Sequence, residues 1–197
     1  MNINQSPLQH VTGAVLAGGL SKRMGKPKHE LILPDGTTML EKALSMTRLV
    51  CQEVVVVAPE VVTDQAPHVH DSQAGRGPLA GIIELLASGL NDHYLVIPCD
   101  MPCLTPELLT QLCDPPPTHA RVFQLEYAMH AAPLPLAISS QLLSSLEGAQ
   151  QQGILSLHGA LAQTQLEVCN LSKRYQGNLM NINEPQDVQH INMRQAD

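Results

Sequence analysis

The sequence has no tryptophan, one phenylalanine and three tyrosines in 197 residues. A core anchored on large aromatic rings is excluded, so Leu, Val, Ile, Ala and Met must fill it. Positive charge is also scarce: 11 Lys and Arg stand against 18 Asp and Glu, a formal net charge of −7. That balance lacks the basic face a broad nucleic-acid surface needs, and nucleic acid is not an expected partner. An anionic small molecule remains possible, because a local cluster of cations can hold it. No apolar run approaches a membrane span, so no membrane partner is expected. The opening MNINQSPLQH lacks the basic start and apolar stretch of a signal peptide. The five cysteines, Cys51, Cys99, Cys103, Cys113 and Cys169, are scattered and form no C-x-x-C pair. A reduced cytoplasmic chain with packing cysteines is expected, and Cys99 and Cys103 lack further ligands at zinc-site spacing.

What is present is an ordinary globular composition, 44% hydrophobic, with the length of one domain. Val11 to Leu16 (VTGAVL) predicts a first strand. A Gly-rich, basic loop follows, AGGLSKRMGKPKHE, in which Pro27 and Pro34 prevent a long helix. Thr37 or Thr38 can cap a helix through MLEKALSMTRLV, whose Leu40, Ala43, Leu44 and Thr47 share a largely apolar face. Glu53 to Ala58 (EVVVVA) is a β-branched run without alternation, the pattern of a strand buried on both faces of a parallel sheet. A short strand is expected around His68 to His70. Gly77 and Pro78 open a helix through GPLAGIIELLASG, with Gly89 near its end. YLVIPCD reads as another buried strand, ending on Asp100, and Thr105-Pro106-Glu107 starts the next helix. Asp114 to Pro117 breaks the chain. Residues 120–138 read as two strands, the second (AAPLPLAI) confined by its prolines to a sheet edge. Two helical stretches, a short strand near Leu166 to Val168 and a final helix from about Glu184 complete the pattern. Strands and helices alternate, so an open, mainly parallel α/β sheet in a single domain over residues 1–197 is expected.

In such a sheet, ligands sit at the carboxyl ends of the strands. Two segments stand there: the Gly18-Gly19 loop, and Pro98-Cys99-Asp100-Met101-Pro102. The loop packs Gly18, Gly19 and Gly25 with Lys22, Arg23, Lys26 and Lys28. Glycines let backbone N–H groups approach an anion, Arg offers a planar fork, and Lys a mobile point charge. The same composition also describes a solvated loop with glycines for turns. A P-loop is excluded, because Gly19 and Gly25 are one residue too far apart and Pro27 replaces the required hydroxyl. A dinucleotide fingerprint is excluded because Gly18 and Gly19 are adjacent and the prolines delay the helix. Asp100, just past an apolar strand, can hold Mg²⁺ over a triphosphate, or can simply make a turn before Pro102. Asp71 also follows a strand and can contact base, ribose or metal. His68 and His70 share a strand face, a geometry compatible with metal binding, but lack a third ligand nearby in sequence. His130 and His158 have the chemistry for catalysis, although scattered histidines are usually structural or exposed.

Leu16-Ala17-Gly18-Gly19, Ser21, Arg23-Met24-Gly25 and Lys28 resemble the L-A-G-G-x-S-x-R-M-G-x-x-K loop of the nucleotidyltransferases. Within them the chain is most similar to the molybdenum cofactor guanylyltransferases, also called molybdopterin-guanine dinucleotide synthases. Gly77-Pro78-Leu79-Ala80-Gly81, Pro98-Cys99-Asp100-Met101-Pro102 and Asn181-Ile182-Asn183-Glu184-Pro185 extend the resemblance over nearly the whole chain. The resemblance implies a doubly wound, Rossmann-like nucleotidyltransferase fold, with GTP and Mg²⁺ as requirements and molybdopterin as acceptor. It implies that Leu16, Ala17 and Gly18 line guanine and ribose, that Lys28 contacts GTP, and that Asp71 and Asp100 lie in the nucleotide site. Asp100 would be the magnesium ligand, and Asn181 and Asn183 would sit near the reacting phosphates or the acceptor. Two departures stand out: Val57-Ala58-Pro59 carries no Asn where members often place one, and Gly153 to Leu157 lacks the basic residues common there.

The expected reaction is GMP transfer from GTP to the phosphate of molybdopterin, with release of pyrophosphate. Lys28 and Arg23 would stabilise triphosphate charge, with N–H groups of the Gly18–Gly19 turn assisting. Other proteins of the cofactor pathway are candidate partners. A related cytidylyltransferase, a transferase with another small acceptor and a non-catalytic nucleotide-binding regulator are the alternatives.

Overall fold

The structure is a computed structural model and describes residues 6–18, 27–73, 75, 77–126, 128–129, 131–183 and 187. Its strands are β1 (Leu8–Leu16), β2 (Cys51–Ala58), β3 (His68–His70), β4 (His93–Pro98), β5 (Ala120–Leu125), β6 (Leu136–Ser139) and β7 (Leu166–Leu171). They form one seven-stranded sheet in the order β3-β2-β1-β4-β6-β5-β7. β6 runs antiparallel to β4 and β5, and every other pairing is parallel. The helices are α1 (Met39–Arg48), α2 (Pro78–Ala87), α3 (Pro106–Cys113), α4 (Leu143–Gln151) and α5 (Leu157–Leu161). Among the described residues, no helix is long and apolar enough to cross a membrane.

The helices divide between the two faces, which makes the sheet doubly wound. Leu40 and Leu44 of α1 and Leu108, Leu109 and Leu112 of α3 pack with Val15 and Val56 on one side. Ile82 and Leu85 of α2, Leu146 of α4 and Leu161 of α5 pack with Ala14, Val55 and Val57 on the other. Adjacent residues of a strand thus feed opposite layers, which is why the apolar runs show no alternation. Two of the few aromatics, Tyr94 and Phe123, are completely buried, and the Tyr94 hydroxyl accepts from the Asn91 N–H at 2.9 Å.

Local chemistry sets the element ends. Thr38, of the two threonines considered, caps α1 with a complete capping box: its hydroxyl accepts from Glu41 N at 3.1 Å, and its own N–H donates to the Glu41 carboxylate at 2.7 Å. Gly77 precedes α2 with a φ of +87°, a conformation that favours glycine, and Pro78 opens the first turn. Thr105 caps α3 through the Leu108 N–H.

The structure corrects several expectations. β6 is an interior strand, between β4 and β5, and not an edge. Pro133 and Pro135 both precede Leu136, so neither occupies a ladder position and the rule confining proline to edges does not apply. β4 ends at Pro98, leaving Asp100 in a turn two residues beyond, and β1 begins earlier, at Leu8. β7 runs on to Leu171, where the sequence indicated only a short strand. The helix expected from about Glu184 lies outside the described residues.

Candidate active site

The chain winds outward from β1 to β2 and β3, then returns to place β4 on the other side of β1. That reversal parts the loops after β1 and β4 and opens a crevice at their carboxyl ends. Backbone hydrogen bonds fix the crevice floor: Cys99 N donates to Leu16 O at 3.1 Å, Ala17 N to Val57 O at 2.9 Å, and Asp71 N to Ala58 O at 2.9 Å. A cleft of about 800 Å³ opens above them, lined by Leu16, Ala17, Gly18, Lys28, Asp71, Asp100 and Asn181 among others.

Asp71 lies between two glycines. A Cβ on Gly18 would come within 3.7 Å of its carboxylate, and a Cβ on Gly81 within 3.4 Å. The same Cβ on Gly18 would press on Pro59 at 3.2 Å. A side chain at Gly18 would thus have to displace Pro59, just past β2, by a few tenths of an ångström. The Asp71 carboxylate also accepts from the Gln73 N–H at 3.1 Å, which turns the chain toward α2.

Three distant segments meet at the other side of the cleft. Lys28 begins a short 3-10 turn, Lys28–Glu30. Its ammonium donates to Asp100 Oδ2 at 2.8 Å and to Asn183 Oδ1 at 2.8 Å. A small apolar cluster of Leu33, Met39 and Ile182 holds the segments together, with Leu31, Cys103 and Met180 around it. Ile182 N also donates to Asp100 O at 2.8 Å, so the segment carrying Asn181 and Asn183 is tied directly to the Asp100 turn. Asp100 Oδ1 is buried and has no hydrogen-bond partner among the described residues.

The other candidates separate cleanly. Gly19, Lys22, Arg23, Lys26 and His130 lie outside the described residues. Asn183 reaches the site through Lys28. His158 lines a second cavity of about 230 Å³ beside β5 and β7. His68 Nε2 donates to Ala58 O at 2.8 Å, and no three His, Cys, Asp or Glu side chains among the described residues gather as a metal cluster. Cys99 lines the cleft, but burial and the neighbouring Asp100 charge push its thiol up to about 12. It stays protonated at neutral pH and is no nucleophile. Sequence reasoning missed the wall formed by Ala132, Pro133, Leu134 and Leu179. Those residues carry no polar group to mark them.

A family model described as the MobA-like NTP transferase domain matches residues 13–166. The chain belongs to the MobA-like NTP transferase domain family. Two relatives carry the name "Probable molybdenum cofactor guanylyltransferase". One, from Bacillus cytotoxicus, is 30% identical over 113 residues, 53% of this chain and 56% of the relative. Another, from Bacillus cereus, is 36% identical over 110 residues, 52% of this chain and 54% of the relative. The match thus spans about half the length of these curated relatives. The solved structure of molybdopterin-guanine dinucleotide biosynthesis protein A from Archaeoglobus fulgidus superposes with a TM-score of 0.77 at 23% identity, covering 94% of this chain and 98% of that one. A nucleotidyl transferase from Methanothermobacter thermautotroptrophicus gives 0.72 at 19% identity, covering 95% and 97%. The three chains share one fold.

Proposed function

We propose that this cleft transfers GMP from GTP to the terminal phosphate of molybdopterin and releases pyrophosphate. The observation that carries the reading is the 2.8 Å meeting of Lys28 and Asp100 in a cleft also lined by Gly18. Family membership and the names of the relatives support it. A phosphate oxygen of the acceptor attacks the α-phosphorus of GTP while the bond to the leaving pyrophosphate breaks. No protein nucleophile and no strong general base are needed, because the attacking phosphate is already anionic. The chain's task is to position the reactants in line and to neutralise charge. Lys28 contacts the triphosphate, and Arg23 and the Gly19 N–H are proposed to assist from the same loop. Leu16, Ala17, Gly18 and Asp71 hold base and ribose, and Asn181 and Asn183 face the acceptor or the reacting phosphates.

Mg²⁺ is the proposed cofactor, and Asp100 fits it. Mg²⁺ characteristically takes one or two carboxylates and fills its remaining positions with phosphate oxygens and water. Asp100 Oδ1, buried and unpartnered among the described residues, is such a ligand in waiting. Bound there, the ion supplies positive charge to the phosphate oxygens.

A mass-spectrometric product assay with Mg²⁺, purified molybdopterin and either GTP or CTP tests the proposal. The guanine dinucleotide is the expected product. A cytosine dinucleotide would move the chain to the sister cytidylyltransferases. Nucleotide binding with no product from either would indicate another acceptor or a binding protein. Asp100→Ala should abolish transfer while circular dichroism stays unchanged, and a folded, fully active variant would remove Asp100 from the metal site.

A further inference from the structure

The two oxygens of Asp100 are unequally served. Oδ2 already receives the Lys28 ammonium at 2.8 Å, while Oδ1 is buried without a partner among the described residues. A divalent ion on Oδ1 would therefore share a single carboxylate with an ammonium. Two cations that close repel, and repulsion is strong where burial limits screening. The side chains of Lys28 and Asp100 are only 23% and 17% exposed. We infer that Lys28 guards the metal site, competing with the divalent cation for Asp100 until a nucleoside triphosphate arrives. This inference rests on the metal placement proposed above.

The geometry also shows how the competition is relieved. Lys28 lines the nucleotide cleft, so triphosphate oxygens offer its ammonium new anionic partners. Asn183 Oδ1, at 2.8 Å, gives the ammonium a second acceptor, so leaving Asp100 does not expel it from the site. Asn183 is on this account a positioning residue for Lys28. The ion then enters with the nucleotide, not ahead of it, and the resting chain avoids filling its site with free metal.

The test measures Mn²⁺ binding to the nucleotide-free full chain by electron paramagnetic resonance, with no turnover involved. Lys28→Met and Lys28→Gln should bind Mn²⁺ at least tenfold more tightly than wild type, and Lys28→Arg, which keeps the charge, should resemble wild type. Adding Asp100→Asn to Lys28→Met should remove the gain. Wild-type affinity in both neutral variants, still lost with Asp100→Asn, overturns the competition and leaves the metal placement standing. A gain that survives Asp100→Asn overturns the placement itself. Circular dichroism on each sample, and the use of two neutral substitutions, separate these outcomes from misfolding.

Discussion

Lys28 is anchored by two oxygen acceptors, whereas Lys22 and Lys26 belong to the basic loop beyond Gly18. A partly buried, charge-assisted contact is worth about 1.5–3 kcal/mol. Lys28→Ala should therefore lower kcat/KM for GTP by roughly ten- to a hundredfold, with Lys22→Ala near wild type. Steady-state kinetics that reverse this order would move the phosphate contact to Lys22. Cys99 makes a different kind of prediction. Its thiol is raised in the fold from the ordinary 9.0 to about 12, so the folded chain holds that proton more tightly than the unfolded chain. The contribution to stability is complete below pH 9 and is lost as pH climbs from there toward 12. Cys51, raised by its hydrogen bond with Cys113 and by burial, adds to the same alkaline loss. Urea midpoints should fall above pH 9, and Cys99→Ala should flatten the fall without abolishing it. An unchanged slope in that variant would show that Cys99 titrates normally in the fold.

Among the elements, β1 and α1 approach closely because Gly13 has no side chain. An added Cβ would lie 2.2 Å from Thr47 Cγ2, and Thr47 cannot easily yield, being fully buried with its hydroxyl donated to Ala43 O at 2.7 Å. Gly13→Ala should cost about 1–3 kcal/mol, read as a lower urea midpoint with an unchanged m-value. A neutral result would mean that α1 shifts freely on the sheet. β1, β2 and β4 were legible in sequence because strands buried on both faces must be apolar throughout. Gly18 and Asp100 stand out because they lie just past apolar strands, although a plain turn is an equal reading of Asp100 and Asp71 carries little signal alone. The place of β6 is not legible from its prolines, because proline excludes only the ladder position it occupies and both precede Leu136. The apolar wall at Ala132 to Leu134 had no signal at all, since its residue types match any core.

For the molecule as a whole, the contact least visible in sequence is the one between Lys28 and Asn183, 155 residues apart. Local pattern identifies each residue as polar and available, but only the winding of the sheet and the Leu33–Met39–Ile182 cluster bring them together. Among the described residues, the seven strands and the five α-helices all lie before residue 172. A chain ending at residue 179 should keep its secondary structure and cooperative unfolding. It should lose most of its affinity for Mg²⁺–GTP, measured by calorimetry, because Ile182 and Asn183 are gone. Equal affinity in the shortened chain would remove the late segment from the site. The ribosome meets the same arrangement as a matter of timing. Translation delivers the sheet before Asn183, so a nascent chain can hold the described strands while Lys28 still lacks its second acceptor. Building the sheet and joining Lys28 to Asn183 are then separate events in the life of the polypeptide, and the second waits on a segment made after the strands.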